Sequence, residues 1–473
     1  MPRPFLSGLL SAVLPGAGQI YAGRPGRGFA ILATATAVLA AALWYAVRAG
    51  AALAETVVSL DLLLGLLLAN GIVLAVRFWV AADAYAIAAR ERRRALGRSS
   101  PIVAGISLAA LAFVTVTPHA LVGWGSWLAY DTIDAVFAEA EPQDVLTPEQ
   151  LAVATVETPS PAGTGQAFQG DRPVADPAPE PEPPEKPTWT TFLLIGGDAG
   201  YGRWGLRADT LIAVSVRADT GRAAIFSVPR NLQMFPLAGR AGAEYGTFPD
   251  IVNALYRFAQ SRPDLFPGGK DPGATALKQT VSNLLGIPVH YYLLVDLRGF
   301  VEVVDALGGL RLTAPDSVDD LTSPAFPGEP WTDIQVTGGT VVELDGRHTL
   351  AYARSRSASS DYTRMVRQRC ILAAVARRIQ SMRTLRSITR LSDAAKTFAT
   401  TDIPRSRLPR VVKLLRGIDP AKTLAVSFTP PEYRVYAPDI GAYRGTVQRL
   451  LHLKLSRLRN AGQRPVAGLC PEP

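Results

Sequence analysis

The sequence predicts an α/β domain, an α-β-α sandwich, that follows an α-helical region with several membrane spans. Three observations support this prediction. Long apolar stretches occupy the first 130 residues, a proline-rich acidic stretch follows them, and from Trp189 onward short apolar runs alternate with helical patterns. With 473 residues the chain has room for two or three structural units.

Three apolar stretches within residues 1–130 are long enough to cross a bilayer as helices. They are residues 29–47, 57–76 and 102–127. An earlier segment, about residues 6–22, is interrupted by Pro15-Gly16-Ala17-Gly18 and predicts a re-entrant or interfacial hairpin. Asp61 and His119 lie within the spans, but helix packing or a position near a helix end explains them equally well. Neither residue is assigned a role.

The basic residues beside these spans predict their orientation, because lysine and arginine are retained on the cytoplasmic side during insertion. The densest basic cluster, Arg90–Arg98, separates the second and third spans, and Arg24 and Arg27 precede the first. The protein is therefore expected to be a multi-pass protein of the cell membrane. Everything after Trp127 is expected to lie outside the cytoplasm.

Residues 131–187 differ sharply in composition from the segments on either side. They are rich in proline, alanine and acidic residues, end in DPAPEPEPPEKP, and contain few large apolar side chains. Such a segment cannot bury enough apolar surface to offset the entropy of ordering it. It is predicted to be an extended linker, and its like charges favour the extended form.

Residues 188–432 carry the pattern of the α/β domain. Its apolar runs of strand length are TFLLIGG, TLIAVSV, AAIFSVP and YYLLVDL, and a further strand-like segment is residues 349–353. Helical patterns cover residues 274–285 and 370–382. Near-continuous apolar strands are typical of a sheet covered on both faces. Residues 433–473 are expected to form a C-terminal helix, centred on 443–459, and a tail.

Polar residues follow or precede these strands at positions where α/β folds collect ligand groups. Asp198 ends the first strand, Arg207 and Asp209 begin the second, and Arg230 follows the third. Two aspartates a short loop apart are suited to a hard divalent cation, and nearby arginines are suited to phosphate. Ordinary turn chemistry and a surface ion pair are the alternative interpretations.

A second cluster of cations lies in the segment RSRSASSDYTRMVRQR. Its arginines are Arg354, Arg356, Arg364, Arg367 and Arg369. Guanidinium groups stay charged and match phosphate oxygens in pairs, so crowded arginines are typical of a polyanion site. A solvated helix face is the alternative. Arg367 and Arg369 are interpreted as ordinary surface charges.

Seven segments, in order along the chain, resemble motifs of the LytR-CpsA-Psr family of bacterial envelope phosphotransferases. They are GGD, LRADT, SVPR, VNALY, HYYLLVDLRGFVEVVDALGGL, LDGRHTLAYARSRS and SDYTRMVRQR. The resemblance covers roughly residues 190–378. It implies an α/β domain outside the cytoplasm, attached to the membrane, in agreement with the topology deduced above.

The resemblance also implies an activity, namely the transfer of an anionic glycopolymer from a polyprenyl-pyrophosphate carrier to a hydroxyl of peptidoglycan. Asp198 and Asp209 are the implied ligands of Mg²⁺ or another divalent cation. The implied contacts to the pyrophosphate are Arg207, Arg230, Arg354, Arg356 and Gln368. Asp361 and Arg364 are expected at the reacting end, with Asp361 either accepting the proton of the hydroxyl or orienting Arg364.

Two positions beside the predicted site depart from the family pattern. Asn231 replaces an acidic residue that often follows the arginine of SVPR, and Ile251 replaces a lysine, whereas Asn253 is retained. The departures leave the choice of acceptor and polymer open. The arginine set is intact.

Two other functions remain compatible with the sequence. The same site can serve a polyprenyl-pyrophosphate hydrolase with water as the acceptor, or a wall-polymer binding protein without turnover. Binding of nucleic acid is disfavoured, because the basic domain is predicted to lie outside the cytoplasm and no helix-turn-helix pattern is apparent. Cys370 and Cys470 either form a disulfide or remain as separate thiols.

Overall fold

A computed structural model of the protein describes residues 3–56, 60–96, 100–137, 139, 142, 144–147, 150–151, 189–198, 206–326, 328–357, 361–381, 385–453, 455–460 and 470. Contacts within the chain divide it into two compact units. The N-terminal unit contains residues 1–135 and 405–412, and the α/β unit contains residues 136–404 and 413–473.

Helices account for the N-terminal unit. They are α1 (Pro4–Val13), α2 (Ala17–Tyr21), α3 (Pro25–Thr56), α4 (Leu60–Leu96) and α5 (Pro101–Val136). Three segments are long and apolar enough to cross a membrane, namely Pro25–Tyr45, Leu63–Ala95 and Pro101–Val136. The three predicted spans are thereby confirmed as helices over their described residues, and each helix continues past the C-terminal end of its predicted span. Residues 57–59, the start of the second predicted span, lie outside the described residues.

The predicted hairpin at residues 6–22 contains α1 and α2. Polar groups face inward here: Ser11 Oγ donates to Gln19 Oε1 at 2.6 Å, and Gln19 Nε2 donates to the carbonyl oxygen of Val80 at 2.9 Å. Large apolar side chains such as Val13 and Leu14 are exposed instead. Small or polar residues inside and large apolar residues outside are typical of helices that pack within lipid.

The α/β unit is built on a mixed sheet that has six strands within the described residues, in the order β11-β6-β1-β2-β3-β12. These strands are β1 (Thr190–Asp198), β2 (Arg207–Val216), β3 (Ala223–Val228), β6 (Tyr291–Asp296), β11 (Ala399–Thr401) and β12 (Thr423–Ser427). β1 is antiparallel to β2 and parallel to β6, and β3 is antiparallel to β2 and parallel to β12. The four predicted strands at the centre are confirmed.

The other elements precede or follow these strands along the chain, and the helix at residues 408–416 begins within the 405–412 segment of the N-terminal unit. The remaining strands are β4 (Phe235–Pro236), β5 (Thr247–Phe248), β7 (Leu310–Thr313), β8 (Val318–Thr322), β9 (Thr332–Val336) and β10 (Val341–Leu344). The remaining helices are α6 (Gly239–Tyr245), α7 (Val252–Ser261), α8 (Pro272–Leu285), α9 (Leu297–Ala306), α10 (Gly346–Arg354), α11 (Asp361–Ser381), α12 (Leu385–Phe398), α13 (Leu408–Arg416), α14 (Ile440–His452) and α15 (Leu455–Asn460).

Apolar side chains form two main clusters in the α/β unit. The larger joins sheet residues such as Leu193, Leu211 and Phe226 to α7, α8 and α14. The smaller joins α9, α10 and α11 to the short strands β7 to β10. A mixed sheet with packed helices confirms the predicted α/β class, and the predicted helical patterns at 274–285 and 370–382 correspond to α8 and to the later part of α11.

The strand-like segment at residues 349–353 is a helix, so this part of the prediction is wrong. α10 begins after Asp345, whose Oδ1 accepts from the backbone N–H of His348 at 2.8 Å. This N-terminal cap satisfies a donor that the first helical turn leaves unpaired. The side chains of Leu350, Ala351 and Tyr352 are buried in succession, which is why the segment has the apolar density of a strand.

The beginning of the predicted linker packs against the α/β unit. Lys278 Nζ, on α8, lies 2.7 Å from Asp144 Oδ1 and 2.5 Å from Asp402 Oδ2. The side chains of Lys278 and Asp144 are 0% and 1% exposed. Leu146 and Leu151 pack against Ala238. Residues 152–188, which make up most of the predicted linker, lie outside the described residues.

A disulfide joins Cys370, on α11, to Cys470. The hypothesis of a bridge between the two cysteines is therefore confirmed, and the C-terminal segment is fastened to the helix that also carries Arg364. The predicted helix at 443–459 corresponds to α14 and α15.

Candidate functional site

A β-bulge at the end of the β1–β2 pair places the first acidic residue of the site. Gly196 pairs with Thr210 and Gly197 pairs with Ala208, so Asp209 has no partner residue on β1. Bulges of this kind redirect a side chain and are common beside active sites. Glycine is required at 196, because a Cβ there would lie 2.8 Å from Thr210 Cβ.

Asp209 is the centre of a hydrogen-bonded group that three elements supply. Arg230, just after β3, donates from Nη1 to Asp209 Oδ1 at 3.0 Å, and Asn253, at the start of α7, donates from Nδ2 to the same oxygen at 3.3 Å. The backbone N–H of Asn253 also donates to the carbonyl oxygen of Arg230 at 3.3 Å. Asp209 is thereby fixed between a charged donor and a neutral one.

These contacts determine the ionisation of Asp209. Burial by itself would raise the pKa of the carboxyl group, but the charge and hydrogen bond of Arg230, the charge of Arg364 and the hydrogen bond of Asn253 lower it further than burial raises it. The pKa of Asp209 therefore lies below its ordinary value, and the residue is an anion at neutral pH.

Helix α11 supplies the opposite side of the same cleft. Arg364 and Gln368 are four residues apart, one turn of helix, and both line the cleft together with Asp209, Arg230 and Asn231. Arg364 is buried, with 4% of its surface exposed. A buried arginine that faces a carboxylate and a cleft is suited to bind a phosphate group.

Arg354, the last residue of α10, also interacts with this group. Its guanidinium is half-buried and donates to the carbonyl oxygen of Ser323 at 3.3 Å. Burial lowers the pKa of Arg354, while the charges of Asp209 and Glu329 oppose that shift. The neighbouring Arg356 is exposed, and its charge lowers the pKa of Arg354 as well.

The structure therefore brings together Asp209, Arg230, Arg364 and Gln368, and places Arg354 within electrostatic reach of Asp209. Asp198 is buried and its Cα pairs with that of Arg207 across the β1–β2 ladder, beside the bulge.

Two predicted residues are less closely tied to the cleft. Arg207 is exposed at the first position of β2. Asp361 is the first residue of α11, one turn before Arg364, and its side chain lies outside what the structure describes. The ligand that each residue binds stays a prediction.

Sequence reasoning missed two contributions to the site. Asn253 was noted only as a retained motif residue, yet it donates directly to Asp209. The interpretation of Arg367 as a surface charge is wrong, because its side chain is 0% exposed. Arg369 is half-buried, and burial lowers its pKa. Arg367 directly precedes Gln368 on α11, and consecutive helical residues point about 100° apart, so the neighbour of a cleft residue can be buried between helices.

The fold and the cleft define an α/β domain with an arginine-lined cleft, in a chain that also carries three apolar helices of membrane-spanning length. The family model of the LytR_cpsA_psr family matches residues 164–444, which is more than half of the chain. The protein belongs to this family.

Two relatives show the extent of the similarity. The polyisoprenyl-teichoic acid–peptidoglycan teichoic acid transferase TagV of Bacillus subtilis is 27% identical over 247 residues, which cover 52% of this chain and 57% of TagV. A transferase of the same description, TagU of Halalkalibacterium halodurans, is 30% identical over 215 residues, 45% of this chain and 60% of TagU. The chain thus spans less than two thirds of either relative.

A solved structure is also similar to this chain. The crystal structure of Bacillus subtilis TagV matches 57% of this chain and all of that one, with 26% sequence identity and a TM-score of 0.40.

Proposed function

We propose that the protein transfers an anionic glycopolymer from a polyprenyl-pyrophosphate carrier to a hydroxyl group of peptidoglycan. The observation that supports this most directly is the charge of the cleft: Arg230, Arg354 and Arg364 all interact with the single carboxylate of Asp209. Several guanidinium groups around one carboxylate favour a multiply charged anion such as pyrophosphate. The relatives named as polyisoprenyl-teichoic acid–peptidoglycan teichoic acid transferases support the same substrates.

A divalent cation, Mg²⁺ or a similar ion, is part of this proposal, with Asp198 and Asp209 as its protein ligands. The two carboxylates fit such an ion, since they lie on adjacent strand ends and offer the oxygen ligands that it prefers. Mg²⁺ is commonly bound by one or two carboxylates, with phosphate and water oxygens completing its shell. When bound, the ion would neutralise charge on the phosphate oxygens.

The transfer requires one bond to form and one to break. The oxygen of the acceptor hydroxyl bonds to the phosphorus that carries the polymer, and the bond from that phosphorus to the bridging oxygen breaks. Polyprenyl phosphate leaves with the electron pair. Arg230, Arg354 and Arg364 orient the phosphates and stabilise the charge that develops on the leaving oxygen.

The hydroxyl proton needs an acceptor near Arg364. Asp361 is proposed for this role because it begins α11 one turn before Arg364, so that both residues lie on the same side of the helix. Gln368 lies one turn beyond Arg364 and is proposed as a neutral donor to phosphate. Arg207 and Arg356, both exposed, are proposed to contact the parts of the donor that lie nearer to solvent.

The substrates set the location that we propose. Peptidoglycan lies outside the cytoplasm, so the α/β unit is proposed to be extracytoplasmic and the three apolar helices to anchor it in the cell membrane. The basic cluster between the second and third of these helices agrees with that orientation. The lipid bilayer is then also the source of the polyprenyl-linked donor.

The test incubates the full-length protein in detergent with a labelled lipid-linked polymer, Mg²⁺ and peptidoglycan fragments. Covalently labelled peptidoglycan is expected, and Arg364→Ala is expected to lower its formation at least about a hundredfold, because a buried charged contact to phosphate is lost. Arg311→Ala is the matched control, since the side chain of Arg311 is 59% exposed and lies outside the cleft.

The remaining candidate functions appear as distinct outcomes of this assay. Release of polymer phosphate without labelled peptidoglycan would show the hydrolase. Retention of the donor on the protein without any product would show a binding protein. Either result would overturn the proposed transferase.

A further inference from the structure

Arg367 is a buried cation that the proposed reaction does not use. It lies on α11 between Arg364 and Gln368, and its side chain is 0% exposed. Burying a guanidinium group is unfavourable unless its donors meet acceptors of matching geometry. The acceptors it has found therefore indicate its role.

Two of these acceptors are backbone carbonyl groups on either side of Arg354. Arg367 Nη1 donates to the carbonyl oxygen of Tyr352 at 2.6 Å, and Nη2 donates to that of Ser355 at 2.9 Å. Tyr352 belongs to the last turn of α10, where carbonyl groups lack partners within the helix. Arg367 thus caps the C-terminus of α10 from a neighbouring helix.

The guanidinium of Arg367 is itself held in one orientation. Arg367 Nε lies 3.3 Å from Asp316 Oδ2, and Arg367 Cζ lies 5.3 Å from the centroid of the Tyr352 ring. The hydroxyl of Tyr352 donates to Asp316 Oδ1 at 3.0 Å, which closes the group. An ion pair, a ring face and two carbonyl groups leave the side chain little rotational freedom.

The C-terminal end of α10, which Arg367 caps, and the segment directly after it carry Arg354 and Arg356, two of the proposed phosphate ligands. Arg354 is the last residue of α10, and Arg356 directly follows the bonded Ser355. Arg364 and Gln368 belong to the same helix as Arg367. We propose that Arg367 is a positioning residue, which joins α10 to α11 so that the arginines of both helices address one pyrophosphate. This inference rests on the proposed function.

A second contact supports the turn from another side. Ser355 Oγ donates to Asp320 Oδ2 at 2.6 Å, and the N–H of Ser357 donates to Ser355 Oγ at 3.3 Å. The described part of the turn between α10 and α11, residues 355–357, is therefore held by Arg367 and by Asp320. Of these two residues, Arg367 is the one that also belongs to α11.

The test is a double-mutant cycle of pyrophosphate binding. Inorganic pyrophosphate with Mg²⁺ is titrated into the full-length protein in detergent by calorimetry. Arg354→Ala removes a charged contact and is expected to weaken binding about tenfold. Arg367 is not a proposed phosphate ligand, yet Arg367→Met is expected to weaken pyrophosphate binding by a similar factor. If Arg367 acts by placing Arg354, the double variant weakens binding by about tenfold to twentyfold, well short of the product of the two effects.

Folding is monitored for each variant by thermal denaturation followed by circular dichroism. Arg367→Lys is the second variant, since it keeps the charge but cannot reach both carbonyl groups, and it is expected to weaken binding several-fold without unfolding. Arg377→Met is the matched control, a loss of one arginine ten residues further along α11, and it is expected to leave the affinity unchanged.

The outcomes separate the two proposals. If the wild-type protein binds pyrophosphate and the two losses of affinity multiply in the double variant, the positioning role of Arg367 is overturned. The proposed function is not affected by that result. Folded Arg367 variants with wild-type affinity overturn the positioning role as well, since a merely structural residue would change the melting temperature and not the affinity. Wild-type protein that does not bind pyrophosphate overturns the proposed function, and this inference with it.

Discussion

Asp209 is the residue at which the charges of the cleft meet. A bulge turns it out of the β1–β2 ladder, and Arg230 and Asn253 donate to one of its oxygens. The same carboxylate is proposed to bind the metal ion. Asp209 neutralises part of the arginine charge. The proposed cation, if bound, would compete with Arg230 for this carboxylate.

This dual role leads to a prediction for Asp209→Asn. The variant removes the carboxylate that competes for Arg230, so inorganic pyrophosphate in the presence of a chelator is expected to bind about tenfold more tightly than to wild type. Transfer in the presence of Mg²⁺ is expected to fall at least about a hundredfold. Calorimetry and the labelled-polymer assay measure the two effects.

Asp219→Asn is the control for this prediction, because Asp219 forms an exposed ion pair with Arg217 at 2.8 Å. It is expected to change neither quantity. Weaker binding of pyrophosphate to Asp209→Asn would contradict the competition between carboxylate and phosphate.

The lowered pKa of Asp209 also predicts how stability depends on pH. Its folded-state pKa lies below the ordinary value of 3.8, so the ionised form stabilises the fold above that value. The contribution is lost as the pH falls through the folded-state pKa. Urea denaturation of the wild type is therefore expected to show that the free energy of unfolding falls between about pH 5 and about pH 2. The free energy of unfolding of Asp209→Asn is expected to fall by less over the same range. Identical pH profiles for the two proteins would contradict this account of the carboxylate.

At the scale of elements, α8 makes the least expected connection. Lys278, in the middle of this helix, is fully buried between Asp144 and Asp402. Asp402 also accepts from the backbone N–H of Tyr292 at 2.7 Å, on β6. The segment that follows α5 is thereby fastened to the sheet and to α8 before the proline-rich stretch begins.

Lys278→Met is expected to lower the free energy of unfolding by about 3–5 kcal/mol, because it leaves the buried carboxylate of Asp144 and the half-buried carboxylate of Asp402 without their cation. Chemical denaturation of the full-length protein measures the change. Lys422→Met is the matched control: Lys422 pairs with Asp419 at 3.0 Å but is 48% exposed, so a change below about 1 kcal/mol is expected. Equal effects of the two substitutions would show that the buried group does not stabilise the fold.

The elements also show where sequence patterns succeed and fail. The central strands were predicted because four apolar runs have strand length and alternate with helical patterns. Residues 349–353 were predicted as a strand because a short helix buried on nearly every side has the same apolar density, and the deciding feature is the cap at Asp345. Asp144 was assigned to the linker because local composition does not show that a lysine 134 residues away is its partner.

The candidate site also contains residues that the sequence predicted correctly and one that it did not. Asp209, Arg230, Arg364 and Gln368 were found because their motifs appear in family order, and the structure brings them to one cleft. Arg367 was misassigned because its burial depends on α10, whose C-terminus it caps. A charged residue in an arginine run carries no local mark of burial, so this contact could not be read from the sequence.

At the scale of the whole molecule, the proposed function requires the α/β unit and the basic end of α4 to lie on opposite sides of the membrane. Cys370 and Cys470 are joined, so an introduced cysteine supplies a single free thiol. In spheroplasts, a membrane-impermeant maleimide is expected to label Leu321→Cys, at an exposed residue of β8, and not Arg93→Cys, at the end of α4. Labelling of Arg93→Cys alone would place the α/β unit in the cytoplasm.

The transfer itself is tested most directly by the chemical state of phosphorus in the product. Full-length protein, the lipid-linked polymer, Mg²⁺ and peptidoglycan fragments are incubated, and the purified glycan is analysed by phosphorus NMR. A phosphodiester that joins the polymer to peptidoglycan, absent with Arg364→Ala, is the predicted result. Phosphomonoester on free polymer, with no phosphorus on the glycan, would contradict the proposed transferase.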